Sequence, residues 1–463
     1  MGEAEAPLFR PANVAVPARE LSLLQFLAAI RSNALRMFPR AAYEVDSTTQ
    51  PFLGRTRILL NAPEAVHRVL VENHRNYRRS RASVRILRPL VGQGLLLSEG
   101  DEWKWQRRTT APAIAPRTVP LLLRHVASAT ADAIARLGEG THERVDLLAA
   151  MQTLALEIAG GSMFSIEMGQ HGPRVRALLA EFGLHYSQPH LLDMLLPRWV
   201  MAPRDVARRR FHRRWMALLA EMLGSRLAEP ASVQPRDLLD LLLAARDPDT
   251  GRGFSPTQLQ DQVATLIVAG HETTALALFW SLFLLASDPP AQAWLREEVG
   301  PLDLRPESAG AAISHLVRTR AVVSEALRLF PPAFTVVREA IAPDEAGGVP
   351  IPTGAVVMIA PWVLHRHRRF WNRPDDFDPR RFLPGAPPLP RLAYLPFGAG
   401  PRVCVGAHFA LAEATLVLAL LVQAFRIDRS DAVPVLPRAV VMTVPDRPPG
   451  FRLVSCGGAM PVS

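Results

Sequence analysis

The sequence predicts a mostly α-helical protein with small β-sheets (α+β), and three observations support that fold class. Apolar residues recur at helical spacing through most of residues 103–286. Alternation typical of strands is confined to short segments such as 56–61 and 355–360. No internal repeat and no low-complexity linker interrupts the chain. We therefore expect one domain over residues 1–463, with a flexible N-terminus at 1–20.

The individual elements follow from local patterns in chain order. A leading helix is expected over 21–37, and a helix over 63–73 has proline in its first turn. The segment 84–99 mixes two glycines with apolar residues and is predicted to be a loop. The remaining predicted helices are 103–108, 119–137, 145–164, 175–182, 205–227, 235–245, 263–286 and 407–424. The predicted strands are 56–61, 355–360, 440–444 and 450–454.

The longest apolar helix is predicted at 263–286, and its length alone would fit a membrane span. Polar and ionisable residues occupy its middle, at His271, Glu272, Thr273 and Thr274. Such groups are costly in a bilayer unless they line a cavity. We therefore interpret the segment as the central buried helix of a soluble fold, and we expect no transmembrane anchor.

Composition places the chain among globular proteins, with 49% hydrophobic and 21% charged residues. Two cysteines are too few for a disulfide framework, and the first residues lack the basic and apolar regions of a signal peptide. Both features indicate a cytoplasmic protein. The net charge of +10 comes almost entirely from arginine, since Lys104 is the single lysine. The arginines are dispersed without a nucleic-acid-binding signature, so we expect an acidic protein partner and no nucleic acid.

One cysteine lies in an unusual glycine-rich segment, FGAGPRVCVG at 397–406. Its glycines free the backbone for tight or left-handed turns, and its proline fixes one dihedral angle. The apolar helix 407–424 follows directly, so Cys404 lies at or just before a helix N-terminus. The helix dipole and free N–H groups favour a thiolate at that position, and a thiolate binds metals.

This segment resembles the haem-binding loop of the cytochrome P-450 superfamily, which it matches at Phe397, Gly398, Gly400, Arg402, Cys404 and Gly406. The resemblance implies the cytochrome P-450 fold, with haem b (iron protoporphyrin IX) between the central oxygen-binding helix and the helix that follows the loop. It also implies Cys404 as the metal ligand, with Phe397, Arg402 and Gly406 as further cofactor-binding residues. The alternative is a buried structural cysteine in a glycine-rich turn.

The central helix carries a second match in the string AGHETT at 269–274. Ala269 and Thr273 are four residues apart, so they share one helix face. The string resembles the oxygen-binding stretch of the same superfamily. By that resemblance Ala269 borders the haem, Thr273 hydrogen-bonds dioxygen and Glu272 relays protons, which makes the last two the expected catalytic residues. A kinked helix with satisfied polar groups is the alternative.

A third motif pairs Glu325 with Arg328, three residues apart on one predicted helix. Taken alone, the two would form an ordinary surface ion pair. The superfamily pattern adds an arginine from a later segment, which here is Arg381. The resemblance therefore implies a charged structural cluster behind the haem loop, with every member paired because an unpaired buried charge is costly.

A fourth motif places Trp103 and Arg107 four residues apart. The two resemble the tryptophan and arginine of the superfamily's haem-propionate helix. Arg338 resembles another propionate contact, so Arg107, Arg338 and Arg402 would together neutralise two carboxylates. A solvated arginine is the alternative for each residue taken singly.

The motifs occur in the superfamily's order and are similar to those of soluble bacterial members that resemble the microsomal type. The resemblance implies a monooxygenase that inserts one oxygen atom from O2 into a hydrophobic substrate such as a fatty acid, terpenoid or steroid. No flavin, nicotinamide or iron–sulfur motif is evident, so electrons would come from a separate ferredoxin or flavodoxin-type donor with its NAD(P)H reductase. The resemblance places the substrate near the segments 84–99 and 164–204 and the residues Ala269, Phe334, Val336 and Val337.

Two other activities stay open at this point. One is a peroxygenase driven by hydrogen peroxide, and the other is a non-catalytic haem-thiolate protein that senses a gas. The superfamily's peroxide users tend to replace the acid–threonine pair, and a sensor needs no proton relay. Glu272 and Thr273 therefore favour the use of dioxygen over both. The arginine-rich run at 208–214 is interpreted as a solvated helix face, with a membrane surface or an anionic substrate as alternative partners.

Overall fold

The computed structural model describes residues 8–139, 144–166, 168–169, 171–197, 199–228 and 234–456. Within these ranges the α-helices are α1 Leu23–Ser32, α2 Pro63–His67, α3 Arg81–Val91, α4 Gly100–Thr110, α5 Val119–Gly138, α6 Leu147–Phe164, α7 Gly172–His185, α8 Leu191–Leu195, α9 Pro203–Leu227, α10 Leu238–Ala244, α11 Pro256–Ser287, α12 Pro289–Val299, α13 Ala309–Ala312, α14 Val317–Leu329, α15 Pro361–Leu364 and α16 Ala407–Ala424. The strands are β1 Ser47–Phe52, β2 Arg55–Leu60, β3 Tyr77–Arg79, β4 Val336–Ala340, β5 Asp344–Ala346, β6 Val349–Ile351, β7 Val356–Ile359, β8 Phe425–Arg429, β9 Pro437–Ala439, β10 Thr443–Pro445 and β11 Phe451–Ser455.

Helices predominate and the sheets are small, which confirms the predicted α+β class. The largest sheet has five strands in the order β1-β2-β7-β4-β3. Its β2–β7 pair is parallel, and its other neighbours are antiparallel. The β3–β4 pairing sets Arg79 opposite Arg338, from positions more than 250 residues apart in the chain.

The central helix α11 is the longest element and the hub of the main hydrophobic core. A capping box fixes its start: the Ser255 hydroxyl accepts the Gln258 N–H at 3.4 Å, and the Gln258 side chain accepts the Ser255 N–H at 3.1 Å. Pro256 occupies the first helical position, where no intrahelical donor is needed. From Ala275 to Ala286 every side chain is buried, so most of this helix packs against protein.

Among the described residues, three helices are long and apolar enough to cross a membrane by length and composition alone. They are α6, α11 and α16, with mean hydropathy values of 1.3, 1.4 and 1.7 over their most apolar stretches. Between 61% and 67% of each stretch is buried inside the protein. Their apolar character is therefore largely used in the core of the fold.

Several sequence expectations were wrong in detail. The predicted loop at 84–99 begins inside α3, which ends at Gly92 with a φ of 54°. The leading helix stops at Ser32, because the Asn33 side chain accepts the Leu35 N–H and donates to the Pro437 carbonyl instead of continuing the helix. The strand expected at 440–444 is instead the pair β9 and β10, joined by a turn.

The expected flexible N-terminus at 1–20 falls partly on residues 1–7, which lie outside the described residues. Further along, the Phe377 N–H donates to the Phe9 carbonyl at 2.8 Å, and Val14 is buried. Residues 167, 170 and 198 of the expected pocket region 164–204 also lie outside the described residues.

Candidate active site

The glycine-rich segment before α16 forms a compact turn that holds Cys404. Gly398 and Gly400 have φ values of 75° and 71°, in the left-handed region that favours glycine. A Cβ added to Gly400 would lie 2.0 Å from the Leu70 carbonyl oxygen, so only glycine fits there. The Cys404 N–H donates to the Phe397 carbonyl at 2.9 Å, which closes the turn. Gly406 needs no left-handed conformation, because its φ is −91°.

The Cys404 side chain is accessible to a water-sized molecule even though it is densely surrounded by protein. Burial raises the pKa of the Cys404 thiol, while the Gly406 N–H and the charge of Arg107 act in the opposite sense. The helix N-terminus therefore lowers the pKa of the thiol as expected, but burial raises it by more. A thiolate at this position would be stabilised by a cation bound directly to the sulfur, and a metal ion is such a cation.

The middle of α11 is accessible, although the helix is buried on both sides of it. Ala269 is exposed although residues 261–267 and 274–286 are buried, and Gly270, Glu272 and Thr273 are partly exposed. The Thr273 hydroxyl donates to the Ala269 carbonyl at 2.6 Å, so the two residues share the face expected from the sequence. Accessible side chains in the middle of a buried helix mark the wall of a cavity.

The ionisable residues of this stretch differ in environment. Burial raises the pKa of the Glu272 carboxyl. His271 points away, with Nε2 2.9 Å from the Gln152 carbonyl, and burial lowers its pKa to about 4. Burial therefore favours the protonated form of Glu272 and the neutral form of His271.

Glu413 is a further buried acid that the sequence reasoning missed. It lies on α16 with 5% of its surface exposed, next to the buried Thr274 of α11. Burial raises the pKa of Glu413 to about 8, and the Thr274 hydroxyl acts in the opposite sense. The available signal was one carboxylate in the otherwise apolar run of residues 409–422.

Arginines cluster beside the cysteine turn. Arg402 donates to the Ser98 carbonyl at 3.0 Å, and its guanidinium lies 4.4 Å from the centre of the Trp103 ring. Arg107 donates to the Val403 carbonyl at 2.7 Å, which ties α4 to the turn. On the outer side of α4, the Lys104 ammonium lies 2.6 Å from the Asp101 carboxylate.

Arg338 joins this cluster together with Arg79, which sequence reasoning missed because the β3–β4 pairing is non-local. Burial and neighbouring guanidiniums lower the pKa of Arg338 to about 10 and that of Arg79 to about 9. Burial also lowers the pKa of Arg402, and Glu99 opposes the shift in all three residues. A group of guanidiniums beside the cysteine turn fits a ligand that carries carboxylates, such as haem.

The third predicted motif lies behind the turn. Glu325 and Arg328 are fully buried and bidentate, at 2.7 and 2.8 Å. Arg328 also donates to the carbonyls of His365, Pro374 and Asp376, so this guanidinium is saturated. Arg381 Nε lies 3.6 Å from a Glu325 oxygen. Glu325 and Arg328 are therefore a buried pair, and the partly buried Arg381 lies beside them without a hydrogen bond from its Nε to Glu325.

The residues expected to contact the substrate differ in how deeply they are buried. Phe334 is buried in the main core, and its carbonyl accepts the Trp362 N–H at 3.2 Å. Val336 and Val337 lie at the start of β4 and are partly exposed. The segment after α3 is fixed on the central helix, because the Gln93 N–H donates to the Asp261 carboxylate at 2.9 Å. That contact lies two helical turns before Ala269.

Comparisons with known proteins agree with this geometry. A family model described as cytochrome P450 matches residues 33–449. Cyclooctatin synthase of Streptomyces melanosporofaciens is 33% identical over 428 residues, which cover 90% of this chain and 88% of that protein. Cyclooctat-9-en-7-ol 5-monooxygenase of the same organism is 29% identical over 423 residues, with 87% and 85% covered. The solved heme domain of cytochrome P450DA has a TM-score of 0.77 at 26% identity, and the match covers 89% of this chain and 90% of that one.

Proposed function

Because the chain belongs to the cytochrome P450 family and is a haem-dependent monooxygenase, we propose that it transfers one oxygen atom from O2 to a hydrophobic substrate with a cyclic carbon skeleton. The internal opening at Ala269–Thr273 in a helix that is otherwise buried is the observation that carries this proposal. The relatives named above support a cyclic skeleton, since the name cyclooctat-9-en-7-ol describes a ring-containing alcohol. The described chain acts as a single domain in this proposal.

Haem, held through Cys404, supplies the redox chemistry that activates dioxygen and oxidises the substrate. The roles of the protein residues are part of the proposal. Arg107, Arg338 and Arg402, joined by Arg79, neutralise the two propionates, and Trp103 packs against the Arg402 guanidinium. Phe397 and Gly406 shape the turn around the sulfur.

Proton delivery falls to two residues of α11 in this proposal. Burial raises the pKa of Glu272 and its side chain is partly exposed, so this carboxyl can hold a proton and release it into the cavity. The Thr273 hydroxyl donates to the Ala269 carbonyl at 2.6 Å and can turn toward the cavity to donate there instead. Ala269 leaves the space that a small molecule such as O2 needs.

Electrons come from a separate ferredoxin or flavodoxin-type protein with its NAD(P)H reductase in this proposal, which places the enzyme in the bacterial cytoplasm. Residues 68–72 pack against the cysteine turn at 400–402. Arg75 and Arg391 are exposed beside them, and Arg391 donates to His67 Nε2 at 3.0 Å. An acidic carrier would be attracted to these cations.

The test supplies a donor protein, its reductase and NAD(P)H to the purified holoprotein, and measures oxygen uptake with cyclic terpene alcohols and with fatty acids. We expect substrate-dependent uptake and a hydroxylated product with the cyclic alcohols. Turnover with hydrogen peroxide alone would contradict the monooxygenase proposal. Haem absorbance that shifts with fatty acids and stays unchanged with cyclic alcohols would contradict the substrate class.

A further inference from the structure

Glu99 is a carboxylate that lies among the arginines beside the cysteine turn. It occupies the N-cap position of α4, yet its side chain makes no capping hydrogen bond to that helix. Instead, the Glu99 carboxylate accepts the Arg79 N–H of β3 at 2.9 Å. Because β3 is an edge strand of the five-stranded sheet, its outer N–H groups need acceptors from outside the sheet. The carboxylate is therefore fixed by the backbone of the strand that carries Arg79.

The charge of Glu99 acts on the guanidiniums that are proposed to face the haem propionates. Arg79 pairs with Arg338 across β3 and β4. Arg402 donates to the carbonyl of Ser98, the residue before Glu99, at 3.0 Å. In Arg79, Arg338 and Arg402, burial lowers the pKa and the Glu99 carboxylate opposes that shift. Glu99 is thus a negative charge within a group of positive ones.

The hydrogen bond to β3 does not itself require this negative charge. A neutral amide oxygen accepts a backbone N–H equally well, so glutamine would satisfy Arg79 at the same position. A carboxylate among these arginines also repels any other carboxylate that approaches them. Glu99 should therefore weaken the hold of the arginines on the propionates, and its charge has to act on the cofactor in another way.

We propose that Glu99 holds down the reduction potential of the haem by keeping a negative charge beside the propionate site. This inference rests on the proposed placement of the propionates among Arg79, Arg338 and Arg402. Reduction transfers one electron from the proposed ferredoxin or flavodoxin-type donor, so the cofactor gains one negative charge. Nearby positive charge favours that step and nearby negative charge opposes it. Glu99 therefore keeps the potential below the value that the arginines alone would give.

The test is an anaerobic redox titration of the holoprotein and of Glu99→Gln with mediator dyes. Glutamine can still accept the Arg79 N–H, so the substitution removes the charge alone. We expect the ratio of reduced to oxidised haem at a fixed potential to rise roughly tenfold, which is an upward shift of about 59 mV. Glu102→Gln is the matched control, since it removes the same charge from an exposed position of α4, where the carboxylate accepts the Gln258 amide at 3.3 Å. Its potential should stay close to that of the unmodified protein.

Transfer of haem to an acceptor apoprotein separates an effect of charge from damage to the site. Loss of the Glu99 charge should strengthen the hold on the propionates, so transfer from Glu99→Gln should slow by about threefold or more. A variant that disturbed the fold would instead release haem faster. Arg338→Ala should act in the opposite sense in both assays, with a lower potential and faster transfer.

The proposal is overturned if the potential of Glu99→Gln equals or lies below that of the unmodified protein, if Glu102→Gln shifts it as much, or if Glu99→Gln speeds haem transfer. Arg338→Ala distinguishes these results from failure of the proposed propionate site, because it should shift both quantities whatever Glu99→Gln does. If Arg338→Ala changes neither quantity, the propionates lie elsewhere and both proposals are wrong. Neither assay contains substrate, so the outcome does not depend on the proposed substrate class.

Discussion

Replacing Glu413 by glutamine should remove a pH dependence of stability that is built into the contact between α11 and α16. The Glu413 carboxyl is buried beside Thr274, and its pKa is raised from 4.5 to about 8. The folded protein therefore keeps a proton on Glu413 that the unfolded chain loses above pH 4.5. The stabilisation that this proton provides is complete below pH 4.5 and is lost as the pH rises through about 8.

The magnitude follows from the size of the shift. One pKa unit corresponds to about 1.4 kcal/mol, so the whole window from 4.5 to about 8 corresponds to roughly 5 kcal/mol. Between pH 5.5 and 7.5 the free energy of unfolding should fall by about 2–3 kcal/mol because of Glu413 alone. Glutamine has the shape of the protonated acid and does not ionise, so the Glu413→Gln protein should lack this component.

The assay is urea unfolding of the holoprotein at constant ionic strength, followed by haem absorbance and circular dichroism across this pH range. The quantity to compare is the difference in slope between the two proteins, because all other titrating groups are shared. Glu345→Gln, at an exposed glutamate on β5, is the control and should keep the full slope. Equal slopes for Glu413→Gln and the unmodified protein would refute the assignment of a buried neutral acid. So would a carboxylic-acid infrared band that persists unchanged in Glu413→Gln.

Four further outcomes test the rest of the site. Glu325→Ala leaves Arg328 buried without its carboxylate, which should cost about 3–5 kcal/mol in the free energy of unfolding and reduce haem content. Cys404→Ala should abolish the thiolate-type spectrum of the reduced carbon monoxide complex. Thr273→Ala should divert reducing equivalents, seen as more hydrogen peroxide formed per NAD(P)H consumed. Arg79→Ala should speed transfer of haem to an acceptor apoprotein about tenfold, because one propionate loses a charged contact.

Matched controls decide how these results are interpreted. Glu307→Ala removes an exposed glutamate and should keep stability, and Cys456→Ala should keep the thiolate-type spectrum. Arg19→Ala, at an exposed arginine, should not change haem transfer. If Thr273→Ala forms no more hydrogen peroxide per NAD(P)H than the unmodified protein, the proton-delivery role is contradicted. If Arg79→Ala transfers haem at the rate of the unmodified protein, Arg79 does not belong to the propionate site.

Two long periodic helices could be predicted from sequence almost to the residue, whereas α11 at Pro256–Ser287 begins well before the predicted start at 263. The helix predicted at 119–137 is α5 at Val119–Gly138, and the helix predicted at 407–424 has the same bounds as α16. Their apolar repeats are long, and few local alternatives compete. Helix α3 was missed because Pro89 lies inside it and Gly92 follows it, which is a typical loop composition.

The residues of the candidate site also differ in whether they could be predicted from the sequence. Motif positions in one short segment, such as Cys404 and Thr273, were identifiable from the sequence, and their roles stay predictions. Arg79 could not be found, because its place beside Arg338 depends on a strand pairing across more than 250 residues. The expectation that the run 208–214 forms a solvated face was wrong at Arg208, which is 1% exposed and donates two hydrogen bonds to the buried Asp193 of α8. This pairing could not be found from sequence, because it forms only when α8 and α9 pack together.

Lys104, which pairs with Asp101, also offers a single side chain for chemical labelling. It is the single lysine in 463 residues, and it lies on α4 one residue after Trp103. An amine-reactive fluorophore would therefore label the chain at one side chain, on the helix whose Arg107 holds the Val403 carbonyl. If the proposed electron carrier docks near this helix, the emission of that dye would change when the carrier is added, without any engineered attachment point.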